Sequence, residues 1–197
     1  MAKKNFYALK NTGQIYTSWP ECQQALKQVT NPVFKGFVTK EEAEAFLLGK
    51  TEQALPKESI FVDGSFAKEQ QVVGGAFIHV KNEQIIFEQK VRDDRHLDLI
   101  KLQNVGGELL ATIYALKYAQ AKGMTEVVIC HDYQGIASWA DGSWQAKTPV
   151  TKRYVAFVQK FKAETQAKLK FYKVAAHTGI RFNERADQLA KEACGLK

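Results

Sequence analysis

The stretch Ile60-Phe61-Val62-Asp63-Gly64-Ser65 constrains this chain more than any other. Large and β-branched apolar residues in an unbroken run read as a buried strand, and the run meets a carboxylate followed at once by small turn-forming residues. Asp63 is therefore expected at a rigid strand end. A single aspartate in such a place commonly does no more than face water. Its meaning depends on whether later segments bring further acids to the same point.

The pattern around it defines the layers. Val72 to Val80 and Ile85 to Val91, joined by the polar turn Lys81-Asn82-Glu83-Gln84, read as antiparallel neighbours of that strand. Arg92 to Lys101 is charged and irregular. From Gly107 to Ala121 the positions Leu109, Leu110, Ile113 and Leu116 repeat with helical period, which puts Glu108 in a first turn. Val127 to Cys130 is a short buried strand that ends on His131-Asp132, and a loop containing Trp139, Gly142, Trp144 and Pro149 follows. Next come a helix carrying Tyr154, Phe157, Val158 and Phe161, a strand over Leu169 to Ala175, and a last helix over Asn183 to Cys194 with Ala186, Leu189, Ala190 and Ala193 as its apolar stripe. A strand-rich first half followed by alternating helices and strands is an α/β layer with helices packed on a mixed sheet.

Ahead of this lies a smaller pattern. Asn5 to Lys10, the turn Asn11-Thr12-Gly13 and Gln14 to Ser18 form a hairpin. Pro20 suits the first turn of a helix through about Gln28, Val33 to Phe37 reads as a third strand, and Thr39-Lys40-Glu41-Glu42 is a capping box for a helix ending near Gly49. The expected organisation is a ββαβα domain over 1–50, a polar linker over 51–57 and the larger domain over 58–197.

A length of 197 residues with 45% apolar composition accommodates both cores. No apolar run approaches the roughly 18 residues of a membrane span, and no apolar signal core follows Lys3 and Lys4, so a cytoplasmic protein is expected. Cys22, Cys130 and Cys194 lie far apart without C-x-x-C spacing, which argues against a disulfide framework or a zinc site. A formal charge of +7 favours a polyanionic partner, because lysine and arginine displace counterions from phosphates.

Asp63 and Asp132 are both expected where a buried strand meets a loop, the edge at which open α/β sheets bind ligands. Glu108 and Asp187 each fall on an early turn of a helix, beside its apolar stripe. The bland alternative for these two is that they complement helix dipoles. If all four converge, their repulsion demands cations. Oxygen ligands with open positions select Mg²⁺ or Mn²⁺, and two such ions activate a water and stabilise the leaving oxygen of a phosphodiester. His177, in Ala176-His177-Thr178-Gly179, is either a solvated loop histidine or a proton carrier beside that centre.

Phe61-Val62-Asp63-Gly64-Ser65, Gly107-Glu108-Leu109-Leu110-Ala111, Ile129-Cys130-His131-Asp132, and His177-Thr178-Gly179 with Asn183-Glu184-Arg185-Ala186-Asp187-Gln188-Leu189-Ala190 together resemble the ordered motifs of type 1 ribonuclease H. The resemblance implies a five-stranded mixed sheet flanked by helices. It also implies endonucleolytic hydrolysis of RNA in RNA–DNA hybrids to 5′-phosphate and 3′-hydroxyl ends. By the same resemblance Asp63, Glu108, Asp132 and Asp187 would hold two Mg²⁺ ions, with Mn²⁺ as the alternative metal, His177 would assist product departure, and Glu108 would contact a ribose 2′-hydroxyl.

The front unit, through Phe6-Tyr7-Ala8, Ser18-Trp19-Pro20-Glu21-Cys22, Phe34-Lys35-Gly36-Phe37 and the Glu42-Ala43 and Ala45-Phe46 pairs, resembles the viroplasmin-like hybrid-binding domain that precedes many cellular ribonucleases H. In that family the aromatics corresponding to Trp19 and Phe34, with Tyr7 nearby, grip the DNA backbone, and Lys35 would meet a phosphate. The alternative is that Trp19 and Phe34 are core of a tiny domain.

Further substrate contacts implied by the resemblance are Ser65, Asn104, Gln134, Thr148 and Asn183. The chain departs from many relatives at Val105, Gln103 and Tyr133-Gln134, and the lysine-rich helical protrusion of some relatives is reduced to Ala137 through Lys147. The expected partner is thus an RNA–DNA hybrid, with duplex RNA as a second ligand of the front domain, bound by a monomer. The rival reading is a module that grips hybrid or duplex RNA without cutting it.

Overall fold

The computed structural model describes residues 4–48, 55–174 and 180–196, and the chain divides into two compact units near Leu55 and Pro56. The first contains β1 (Phe6–Leu9), β2 (Gln14–Tyr16), α1 (Trp19–Leu26), β3 (Phe34–Phe37) and α2 (Lys40–Leu47), in the expected ββαβα order. Its strands pair antiparallel as β2-β1-β3. Gly13, at φ +67°, turns the hairpin where a side chain would be strained. Ser18 caps α1, and Pro20 occupies its first turn. The capping box of α2 is formed: Glu42 N–H donates to Thr39 Oγ1 at 3.3 Å and Thr39 N–H donates to Glu42 Oε2 at 3.2 Å. Ala8, Ala43 and Phe46 are buried between the sheet and α2, with Phe6 and Phe37 against them. Successive side chains of a strand alternate in direction, so Tyr7 leaves β1 on the other face.

The second unit opens with β4 (Glu58–Ala67), β5 (Val72–Lys81) and β6 (Gln84–Asp93), an antiparallel meander. The β5–β6 turn needs only Asn82 and Glu83, both with positive φ, the backbone of a two-residue hairpin whose twist matches the strands. There follow α3 (Leu97–Ile100), α4 (Asn104–Ala121), β7 (Glu126–His131), α5 (Gly135–Asp141), α6 (Pro149–Thr165), β8 (Lys168–Lys173) and α7 (Arg181–Ala193). The five strands lie in the order β6-β5-β4-β7-β8, with β7 parallel to β4 and β8 parallel to β7. The expected five-stranded mixed sheet flanked by helices is present. Ile60, Val62, Phe77, Val127 and Ile129 pack with Leu109, Ala115 and Leu116 of α4 and with Tyr154, Val158 and Phe161 of α6. On the opposite face α7 lies across β4 and β5, and Phe182 meets Phe61 at 5.5 Å between ring centroids.

Several local expectations are corrected. Asp63 sits within a ten-residue strand and not at its end. The reason is that β4 pairs with β5 all the way to Ala67, whereas its parallel pairing with β7 is confined to Ile60–Ile129 and Phe61–Cys130. Asp63 therefore lies just beyond the last β7 pairing. Helix α4 begins at Asn104, three residues before the expected start at Gly107, so Glu108 falls in its second turn and not its first.

The stretch read as irregular after Val91 contains the end of β6 and the short helix α3. The loop around Trp139 contains α5, and Pro149 belongs to the first turn of α6, with Thr148 as N-cap. Pro is favoured there because its missing N–H would have no helical partner anyway. Strand β8 and helix α7 each begin earlier than the apolar pattern indicates, at Lys168 and Arg181; Ala175, the expected end of that strand, is outside the described residues.

Candidate active site

The closeness of α4 to the sheet builds the site. A Cβ at Gly64 would lie 2.2 Å from the Glu108 backbone nitrogen, and one at Gly107 would lie 2.1 Å from the Gly74 carbonyl oxygen. Both contacts are shorter than any side chain tolerates. Only glycines let the helix backbone rest on β4 and β5, and this contact seats Glu108 beside the residue that follows Asp63. Asp132, the first residue after β7, completes the group. One carboxylate oxygen from each of Asp63, Glu108 and Asp132 lies within 4.8 Å of the others.

Asp63 and Glu108 are only 7% and 6% exposed. Gly64 N–H donates to Asp63 Oδ1 at 2.7 Å, whereas Glu108 Oε2 is buried without a hydrogen-bond partner. Burial, reinforced by the charge of Asp132, pushes the Asp63 carboxyl up to about 8. Burial, then the charges of Asp132 and Asp63, push Glu108 up to about 9, opposed by the Tyr133 backbone N–H acting as a donor. Clustered carboxylates with no cation among them hold protons because their ionised forms repel one another in a poorly solvated space. An unpartnered buried oxygen beside two further carboxylates is the donor set of a hard divalent cation.

Asp187 stands apart from this group of three. It lies on α7, and Lys191 Nζ donates to its Oδ2 at 2.6 Å, one helical turn away. Its charge nevertheless raises the pKa of Asp63. Lys191 is a neighbour that the sequence reading missed, although the i,i+4 spacing made the pair legible. Asn183, buried on α7, has Nδ2 3.5 Å from Asp132 Oδ2, and its Oδ1 is buried without a partner. His177 lies outside the described residues.

The remaining expected contacts are placed as follows. Ser65 is buried, two residues beyond Asp63 on the same face of β4. Asn104 is exposed at the start of α4. Gln134 is half-buried and donates to Ser138 Oγ at 3.0 Å. Thr148 is exposed, with its hydroxyl accepting the Thr151 N–H at 3.2 Å as a helix cap.

In the first unit Trp19 and Phe34 are exposed, at 39% and 40%, so they are not the core of that unit. They form a continuous aromatic surface with Tyr7: ring centroids are 5.3 Å apart for Tyr7 and Trp19 and 5.7 Å for Trp19 and Phe34. Gly36 pairs with Tyr7 across the strands, and a Cβ there would press on the Tyr7 ring at 3.1 Å. Lys35 alternates to the other face, where its Nζ stands 5.3 Å from the Phe37 ring centroid.

Sequence comparison adds to this geometry. A model of the family described as RNase H matches residues 56–195. This chain belongs to the ribonuclease H family. It is a ribonuclease H enzyme of a metal-dependent family. Residues 5–47 match the family described as the Ribonuclease H1 N-terminal domain.

Solved structures share the fold of the second unit. RNase H1 from the halophilic archaeon Halobacterium salinarum is 22% identical, over 71% of this chain and 98% of its own, with a TM-score of 0.59. LC11-RNase H1, solved in complex with RNA/DNA hybrid, is 23% identical, over 71% of this chain and 97% of its own, with a TM-score of 0.59. The N-terminal RNase H domain of a Mycobacterium tuberculosis protein is 19% identical, over 70% of this chain and 94% of its own, with a TM-score of 0.56. Among the described residues of this ribonuclease H, no helix is long and apolar enough to cross a membrane.

Proposed function

We propose that this ribonuclease H hydrolyses the RNA strand of RNA–DNA hybrids with the aid of two Mg²⁺ ions, leaving 5′-phosphate and 3′-hydroxyl ends. The observation that carries the reading is the convergence of Asp63, Glu108 and Asp132 within 4.8 Å, with Glu108 Oε2 buried and unpartnered. These three and Asp187 would hold the ions, with Mn²⁺ as the alternative. Such ions supply an activated water and charge stabilisation at the leaving oxygen. A cation drawn to Asp187 competes with Lys191, whose ammonium holds that carboxylate when no metal is bound. Gly64 N–H fixes one oxygen of Asp63, and Asn183 steadies Asp132 from α7. Glu108 would read a ribose 2′-hydroxyl, and His177 would carry a proton at the departing 3′ oxygen.

The front unit, proposed as a separate domain over 1–50 with a linker at 51–57 before a catalytic domain over 58–197, supplies affinity in this scheme. Its Tyr7, Trp19 and Phe34 surface offers aromatic faces to sugars and bases, which stack without regard to sequence. Such a surface suits the hybrid and, more weakly, duplex RNA. We place the enzyme in the cytoplasm as a monomer. LC11-RNase H1, with its bound RNA/DNA hybrid, is the relative that favours this substrate.

Labelled hybrid, duplex RNA and duplex DNA, each incubated with and without Mg²⁺, test the proposal. Cutting confined to the RNA of the hybrid, dependent on metal and lost in Asp132→Asn, is expected. Binding without cleavage would establish the rival reading.

A further inference from the structure

His131 is fully buried, and the scheme above does not use it. It is the last residue of β7, with Asp132 immediately after it. Its Nδ1 lies 2.9 Å from the Tyr133 carbonyl oxygen. A carbonyl only accepts, so Nδ1 carries the proton and donates. Its Nε2 is buried without a partner, so the Nδ1 bond is the one polar contact of the ring. Phe171 of β8 packs edge-on against the ring at 6.0 Å, and Val174 N–H donates to the His131 carbonyl at 2.9 Å.

The ring thus packs on Phe171 of β8, the backbone carbonyl of His131 is held by Val174, and the one donor of the ring grips the peptide two residues on. That grip closes a short loop of backbone whose middle residue is Asp132. Beyond it, the Tyr133 backbone N–H faces Glu108. A single imidazole therefore constrains a segment that carries one of the three clustered carboxylates and donates to another.

We propose that His131 is a positioning residue for the metal centre: its Nδ1–H bond to the Tyr133 carbonyl fixes the backbone that aims Asp132 at Asp63 and Glu108. The inference rests on the reading of these carboxylates as metal ligands. The bland alternative is a histidine that only fills the core at the end of β7. The two differ in which replacements succeed. An asparagine places its amide nitrogen near the Nδ1 position, whereas a glutamine reaches toward Nε2 and a leucine fills volume with no donor.

The experiment compares His131→Asn, His131→Gln and His131→Leu in the full chain. It measures Mn²⁺ binding without substrate by calorimetry, the Mg²⁺ dependence of hybrid cleavage, and kcat and KM at saturating metal. Thermal melting checks folding, and Asp132→Asn serves as control. Ligand-orienting partners of metal sites are worth roughly 10–100-fold in metal affinity or activity. The expected result is a loss of that size in Mn²⁺ affinity and kcat for the Leu and Gln variants, with KM for hybrid unchanged and most of the loss restored by Asn. Equal behaviour of the Asn and Gln variants, or unaltered Mn²⁺ affinity in all three, overturns the proposal; if the Leu variant does not fold, the Asn–Gln comparison decides alone. Full Mn²⁺ binding and cleavage by Asp132→Asn would refute the metal-centre reading itself, a separate failure.

Discussion

Replacing Glu108 by Gln should make the metal-free protein more stable at alkaline pH while abolishing its response to Mg²⁺. Glu108 is pushed up to about 9 in the folded protein, against about 4.3 for an unfolded glutamate. Between these values the folded state holds a proton that the unfolded state has released. Stability changes with pH as the number of protons bound by the unfolded state minus the number bound by the folded state, so here it falls as pH rises. The contribution is fully present below about 4.3 and is lost progressively up to about 9. Each pH unit in that window is worth about 1.36 kcal/mol per retained proton, or about 2.7 kcal/mol from pH 6 to pH 8.

The amide of the Glu108→Gln variant is neutral in both states and escapes this loss. Urea unfolding in EDTA should therefore show Glu108→Gln gaining on the wild type by about 1–3 kcal/mol between pH 6 and pH 8, the lower figure allowing for water reaching the buried charge. Saturating Mg²⁺ should narrow that gap at pH 8, because an ion at 100 times its Kd adds about 2.7 kcal/mol to the wild type alone. A stability difference that does not move between pH 6 and pH 8 would show that burial and the charges of Asp132 and Asp63 do not keep Glu108 protonated, and would remove the need for a cation among them.

Other outcomes follow from the same geometry. Asp132→Asn removes a charge from the carboxylate group and should lower kcat on hybrid by at least about 10²-fold, the scale of a lost electrostatic contribution in a water-poor site, with cooperative melting retained; near-normal turnover would refute its role. Trp19→Ala should weaken hybrid binding by about 1–3 kcal/mol in a filter or anisotropy assay and leave kcat at saturating substrate unchanged; unaltered affinity would make the exposed aromatic surface incidental. Gly64→Ala drives a Cβ to 2.2 Å from the Glu108 nitrogen and should cost about 1–3 kcal/mol in urea unfolding, as overpacking does, together with Mg²⁺ affinity; a silent substitution would show that α4 does not rest on β4 as described.

Much of the framework is written locally. The Asp63 strand, the hairpin partners that follow it and the period of α4 are set by runs of side chains that alternate or recur within a few residues, so the mixed sheet and its flanking helices were legible without coordinates. The capping box at Thr39 and Glu42 was legible for the same reason, being a contact between residues three apart. The helices around Trp139 and Leu97 were not, since short helices carry too little period to register and are held by tertiary packing. Exposure of Trp19 and Phe34 was expected from the resemblance alone, because an aromatic residue looks the same in local sequence whether it fills a core or faces water.

The residue types and their order established which acids this chain has and which elements carry them. How near they come was decided elsewhere, by glycines at 64 and 107 that let a helix backbone touch the sheet and by a strand that outruns its parallel neighbour just before Asp63. Those are contacts between segments tens of residues apart, and their distances are fixed only when both surfaces pack. The same packing leaves Asp187 outside the trio, a distinction that no spacing along the chain encodes, whereas its pairing with Lys191 is a local contact one helical turn away.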